Sequence, residues 1–291
     1  MERELWKIIV AALKHLPPTR QRNAVFTDSQ VLAVFLWAAL HDRPTSWACE
    51  RANWPMQAWR RDLPDQSTMS RRMRTASLHD ALAVTLTRVQ ASLPDGRLLF
   101  TDGKAFELSD RTSDPDAANG HGAGHMARGF RLHVVIDDQG KVHGWDVLPM
   151  NEAETVATCK IIETMPKPPK ATLMIADAGY DSNKLYEAAA LCGLRMIAPR
   201  RKRGRGLGNR EHHPHRLAAI KLTEQRGGWM WPMLHTKRWT VERFFAGLVT
   251  SGVGANGLPT WVRRLHRVKL WIGAKLVINA ARLVRLNHIH A

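Results

Sequence analysis

Cysteine is scarce. Cys49, Cys159 and Cys192 are scattered through 291 residues, odd in number, and form no CxxC pair. That argues against a disulfide framework and fits reduced core thiols in a cytoplasmic protein. Long apolar runs are missing too. The longest, residues 31–40, is half a bilayer span, and Lys269, Lys275 and Arg282 interrupt the apolar C-terminal stretch, so no membrane partner is expected. The opening Met1-Glu2-Arg3-Glu4 has no signal-peptide core. Internal repeats and long linkers are absent. Acidic residues are outnumbered: 26 Asp and Glu face 43 Lys and Arg, a formal charge of +17. Such an excess repels itself unless a polyanion binds, which makes nucleic acid the leading class of partner. What remains is ordinary globular composition, 44% hydrophobic and 24% charged, enough for one large domain or two modest ones.

Residues 1–95 read as helical. Thr27 or Asp28 can cap a helix carrying Val31, Leu32, Val34, Phe35, Leu36 and Leu40, and Thr45 a short one ending near Pro55. Asp65 or Ser67 can cap a third with Met69, Arg71, Arg72, Met73 and Arg74. A short helix with a polar start and a basic face suits the recognition helix of a helix-turn-helix. A three-helix bundle with a solvated basic face explains the same letters.

From residue 96 the pattern changes to strands. Phe100, Asp102, Lys104 and Phe106 share one face by the period of two. Phe130, Leu132, Val134 and Ile136 alternate with polar residues, and Asp138-Gln139-Gly140 turns the chain back into residues 141–148, a hairpin. Asn151 reads as the cap of a helix with Glu154 at its third position and Ala153, Val156, Ala157, Ile161 and Met165 on one face. Residues 171–176 are continuously apolar, as in a strand buried on both faces. A helix after Asp181-Ser182, a strand over residues 194–198, a basic Gly- and His-rich insert at 200–228, a helix at 236–251 and a last helix at 260–286 follow. Three strands, then alternating helices and strands, fit an α/β fold of the RNase H-like kind, a mixed sheet with flanking helices behind an all-α N-terminal domain. The expected boundary is 1–95 against 96–291.

Two-metal phosphodiester chemistry needs carboxylates converging on hard cations. Asp102 lies within an apolar strand and Asp177 ends another, followed by Gly179 for the turn. An isolated buried carboxylate is costly unless a counter-charge is present, and a shared metal supplies one for both. Either alone could equally cap a helix or pair with an Arg; on adjacent strands the metal reading prevails. Glu242 sits at the margin of the stripe Val241, Phe244, Phe245 and Leu248, which directs it toward the sheet. By residue type alone an exposed Arg238–Glu242 helix pair is the favoured explanation.

Four stretches carry a family resemblance: Phe100-Thr101-Asp102-Gly103, Gly129-Phe130-Arg131-Leu132-His133, Ala176-Asp177-Ala178-Gly179-Tyr180-Asp181 and Arg238-Trp239-Thr240-Val241-Glu242-Arg243-Phe244. In this order they resemble the motifs of bacterial DDE transposases of the insertion-sequence four and five families, from about residue 95 onward. The resemblance implies a catalytic and metal-binding triad of Asp102, Asp177 and Glu242, with 75 residues separating the first two and 65 the last two. It also implies two Mg²⁺ or Mn²⁺ ions, cleavage at transposon ends, strand transfer into target DNA, and a homo-oligomer, a dimer, working on DNA. The family's third motif often has Tyr three residues before the Arg and Lys seven after the Glu; here His235 and Val249 stand there, and Arg238 matches. A nuclease that cannot join strands, and a non-catalytic DNA-binding descendant, are the alternatives. DNA contacts are expected from Arg71, Arg72, Arg200, Arg201, Lys202, Arg203 and Arg238.

Other groups read more simply. Asp181 suits a helix cap, and His212, His213 and His215 suit solvent or phosphate rather than zinc. His121 and His125 sit in a glycine-rich loop, and Glu107, Asp110, Asp114 and Asp116 are expected to be solvated. Trp229 and Trp231, beside the basic insert, could stack on an unpaired base.

Overall fold

Local capping chemistry starts several helices where the sequence places it. The computed structural model describes residues 1–17, 24–55, 61–109, 113–122, 124–201, 206–209, 211–225, 228–250 and 253–290. Its contacts divide the chain into two units. One comprises Met1–Leu93, Ser113–Asp116 and Gly247–Ala291; the other comprises Pro94–Thr112 and Ala117–Ala246. The first division falls two residues from position 95, but the C-terminal segment groups with the N-terminal helices rather than with the sheet.

In the first unit, α1 (Glu2–Leu13) buries Leu5, Trp6, Ile9, Ala12 and Leu13. The next helix, α2 (Asp28–Leu40), opens with a capping box between Thr27 and Gln30. Ten of its 13 residues are buried, as expected of a helix that is apolar on every side. A single turn, α3 (Thr45–Ala48), is capped by Pro44 rather than Thr45. Asp65 caps α4 (Gln66–Arg72) by accepting from the Thr68 amide at 2.7 Å. The unit is completed by α5 (Ala76–Val89) and by α11 (Leu265–His290), the last helix among the described residues. Trp37 and Trp54 stack with centroids 4.8 Å apart, and Trp6 meets them edge-on at 4.9 and 5.8 Å. Asp114 and Asp116 are not solvated acids: their carboxylates accept from the Arg264 and Leu265 amides at 2.8 and 2.9 Å, which fixes the start of α11. Arg263 and Arg264, expected inside the last helix, therefore precede it.

The second unit is built on a six-stranded mixed sheet. Its strands are β1 (Leu98–Glu107), β2 (Ala118–His121), β3 (Met126–Asp137), β4 (Val142–Pro149), β5 (Thr172–Ile175) and β6 (Leu194–Ile197). The order is β2–β3–β1–β5–β6, with β4 also on β3; β1 runs antiparallel to β3 and parallel to β5, and β5 is parallel to β6. The β3–β4 hairpin forms as expected. The glycine-rich segment around His121 differs: it is strand β2, paired with Met126–Gly129. A Cβ on Gly120 would stand 2.2 Å from the Met150 carbonyl oxygen, so glycine serves close packing there.

Helices α6 (Glu154–Thr164) and α7 (Asn183–Leu191) share one core with the sheet: Ile161, Ile162, Leu185 and Tyr186 meet Leu99, Val135, Met174 and Met196. Ala153, not Asn151, is the N-cap of α6, so Glu154 is its first residue rather than a capping-box partner. Val156, expected on the apolar face, is 45% exposed, and Thr158 and Ile162 take its place. The basic insert carries α8 (Pro214–Glu224), whose Ala219 joins that core. After it come α9 (Met230–Lys237) and α10 (Trp239–Thr250); the expected helix end at 251–252 lies outside the described residues. No described helix is long and apolar enough to cross a membrane.

Candidate active site

Strands β1 and β5 pair in parallel with Leu98 opposite Leu173 and Phe100 opposite Ile175, an offset of 75 residues. The same offset relates Asp102 to Asp177. The extended backbone continues past β5 through Ala176, whose amide donates to the Ile197 carbonyl at 3.0 Å, into Asp177. Asp177 lies two residues past the end of β5, and its charge bears on the Asp102 carboxyl. The Asp102 carboxylate accepts from the Gly103 amide at 2.8 Å and lies 3.7 Å from an Arg238 guanidinium nitrogen. Asp177 accepts from the Gly179 amide at 2.7 Å, which closes a 3₁₀ turn over Ala178–Tyr180. Burial pushes the Asp102 carboxyl up to about 6; the charges of Asp177 and Glu154 add to this, while the Gly103 amide and Arg238 oppose it.

Glu154 is a third carboxylate here, and the sequence reading gave it a capping role instead. Burial raises its pKa, the Asp177 charge adds, and Arg131 and Arg201 oppose. One oxygen is ion-paired to Arg131. A Cβ on Gly103 would stand 3.5 Å from one Glu154 oxygen and a Cβ on Gly179 3.5 Å from the other, so the carboxylate spans the glycines that follow the two aspartates. The signal that could have found it is an acidic residue opening the helix that follows the last hairpin strand.

Glu242 is not gathered with these groups. It is exposed on α10, and it is not among the charges acting most strongly on Asp102. Val241, Phe244 and Leu248 are buried, and the next position round the helix turns Glu242 outward rather than toward the sheet. Arg238, at the junction between α9 and α10, is the side chain that reaches Asp102. Among the described residues no group of three or more His, Cys, Asp or Glu is placed to hold a metal. The oxygen donors of Asp102 and Asp177 are right in kind for a hard divalent cation, and the burial that raises the Asp102 pKa is a cost that a cation would offset.

The expected DNA contacts divide. Arg71 is exposed. Arg72 is corrected: its guanidinium is buried, donates to the Phe26 carbonyl and is ion-paired with Asp28, so it faces the interior of its unit. Arg200 is bound at both ends of its guanidinium by Glu224, at 2.8 and 3.1 Å. Arg201 is exposed and reaches the Gly179 carbonyl at 3.3 Å. Lys202 and Arg203 lie outside the described residues, as does Asp110. Asp181 caps no helix; Arg216 grips it at 2.6 and 2.8 Å. His213 caps α8, and His212 contacts Arg216. Trp229 is 70% exposed. An open cleft of about 1300 Å³ lies alongside, lined by Gly120, Arg131, Glu154, Gly179, Lys184 and Arg201 among others.

A mixed sheet with β1 between antiparallel β3 and parallel β5, flanked by helices, is an RNase H-like fold of the transposase catalytic kind. Residues 93–276, more than half of the chain, match the family described as the transposase DDE domain, and the chain belongs to that family. The fold is similar to a cryo-EM structure of the piggyBac transposase synaptic complex with hairpin DNA. That likeness has a TM-score of 0.54 and 8% identity, over 99% of this chain and 73% of the other. No curated protein matches.

Proposed function

We propose that the chain is a DNA transposase of the insertion-sequence four and five type, cleaving strands at transposon ends and joining them to target DNA. The observation that supports this reading is the neighbourhood of Asp102 and Asp177: β1 and β5 pair in parallel up to Phe100 and Ile175, two residues before each aspartate, and the Asp177 charge bears on Asp102. The charge of +17 adds to it, because phosphate neutralisation supplies most of the binding energy to any DNA.

Asp102 and Asp177 are the residues that would hold Mg²⁺ or Mn²⁺. Held there, such ions would supply Lewis-acid activation of the attacking water or 3′-OH and charge stabilisation of the leaving oxygen. Arg238 lies beside Asp102 from the junction of α9 and α10, and its remaining N–H groups are available to a phosphate oxygen. Glu242 is the third ligand that the resemblance assigns; in that role it has to move from solvent to the strand ends when DNA is bound. Arg201 and Arg71 are exposed cations for the DNA backbone, and Lys202 and Arg203 extend the basic run beside Arg201. Two copies acting as a dimer would hold two ends. Residues 1–95 supply the end-binding module and 96–291 the chemistry.

Recombination of a donor plasmid in cells separates this reading from its rivals. A transposase moves the marked segment, a nuclease cuts without joining, and a binding protein does neither. Loss of movement in both Asp102→Asn and Asp177→Asn is expected. Wild-type movement in either variant removes that residue from the site.

A further inference from the structure

We propose that the helical unit holds a single unstacked nucleobase of DNA in a pocket between α2, α4 and the start of α11, with Arg43 and Arg267 beside the phosphates that flank that base. The pocket lies within the first of the two units, and its role shares with the proposed function only that DNA is the partner.

The lining decides the kind of ligand. Phe35 of α2, Met69 and Met73 at the end of α4, and Trp261 and Trp271 supply a wall of aromatic rings and thioethers. The cavity measures about 180 Å³, roughly six water volumes of about 30 Å³ each. Sites for a whole drug-sized molecule start at about 300 Å³, so this one takes a ring and not an entire nucleotide. Trp261 keeps 42% of its surface exposed, while Trp271 is buried. Both rings are held in place by their own surroundings. Trp261 sits in a turn that the Val262 amide closes on the Pro259 carbonyl at 2.9 Å, and Asp114 and Asp116 fix the backbone just beyond it. The Lys275 ammonium lies 5.0 Å from the Trp271 ring centroid and is itself ion-paired with Asp42. An aromatic face fixed in advance loses little entropy when another ring stacks on it, and every base has such a face.

The rim decides the charge. Arg43, His266 and Arg267 line the pocket, and no acid is among the described residues that do. Arg43 is exposed and Arg267 half-buried. The charges of Arg267, Arg74 and Arg264 bear on His266, with Asp116 opposing them. Rings within and guanidinium groups around them match a ligand that is flat and apolar at its tip and anionic along its stem, which describes a base on its sugar–phosphate chain. A paired base offers only an edge in a groove and needs no enclosed space; a base turned out of the stack does. An apolar side chain of a second copy is the rival occupant, and it has no use for a basic rim.

Fluorescence anisotropy of the full-length chain, in chelator, with a labelled mixed-sequence duplex carrying one unpaired thymidine tests the pocket. The comparison probe is the same duplex with an abasic residue at that position. Wild type should bind the base-containing duplex about 5–100-fold more tightly. Trp261→Ala should bring that ratio close to one, and so should Ser70→Phe, which fills the cavity from α4. Equal affinity of the wild type for the two probes overturns the proposal, as does a ratio that survives either substitution. Should Trp261→Ala fail to fold, as judged by circular dichroism, Ser70→Phe decides: an unchanged ratio overturns it. A dimer seen by light scattering without DNA, and broken by Trp261→Ala, gives the pocket to a second copy and overturns it too. With no metal present, a failure of strand cleavage leaves these outcomes untouched; absence of binding to either duplex refutes DNA as the partner in both readings.

Discussion

Replacing Asp102 with Asn should stabilise the cation-free protein above neutral pH. The Asp102 carboxyl is raised from its usual 3.8 to about 6, chiefly by burial. The folded state therefore holds this proton more tightly than the unfolded chain does. Its contribution to stability is greatest below about pH 4 and is lost as pH rises through about 6. Two pKa units correspond to about 3 kcal/mol. The side chain is 22% exposed, so solvent screening reduces this to about 1–2 kcal/mol. Asn keeps an oxygen for the Gly103 amide and never ionises, so the change isolates the charge. Urea melts in chelator between pH 4.5 and 8 should show the variant ahead by that amount at pH 8 and close to the wild type near pH 4.5. Added Mn²⁺ should raise the wild-type midpoint and leave the variant nearly unmoved. A variant less stable than the wild type at pH 8 would mean that Arg238 satisfies the carboxylate, and the reasoning from burial would be wrong.

Three further substitutions test the packing. Arg72→Met strands the Asp28 carboxylate, since each side chain of that pair is only 8% exposed; the expected loss is about 3–5 kcal/mol in urea melts. Arg71→Ala, one residue away and exposed, should cost less than about 0.5 kcal/mol, and equal losses would place Arg72 at the surface. His133 is wholly buried with neither ring nitrogen hydrogen-bonded, and burial pushes it down to about 4. Its stabilising neutral form is fully present above about pH 6.5 and is lost as pH falls toward 4, so His133→Leu should flatten the acid limb of the stability profile. An unchanged acid limb would refute that.

The parallel neighbours β1 and β5 were legible because the apolar runs before Asp102 and Asp177 read as strands, and they pair with one offset from Leu98 to Phe100. Thr27 and Asp65 were legible because a cap acts within three residues. Adjacent arginines defeated the same reasoning. Arg71 and Arg72 differ by about 100° round one helix, and the Phe26 carbonyl and Asp28, 46 and 44 residues away, make the second one internal. Glu242 sat at the edge of an apolar stripe, where helical period leaves its side open. Glu154 was hidden by a plausible local partner, Asn151, because the preceding turn is longer than a capping box allows. The four residues of β2 include a glycine and pair by register with β3, a contact no short-range pattern announces.

The central claim is that Asp102 and Asp177 carry metal-dependent cutting and joining of DNA. Purified protein incubated with labelled transposon-end DNA, a target plasmid and Mg²⁺ or Mn²⁺ tests it in one tube. The account predicts nicking at the element's end and covalent joining to the plasmid. Both should be lost in chelator and in Asp102→Asn or Asp177→Asn, with DNA binding retained. Joining that persists in chelator, or in either variant, would contradict it.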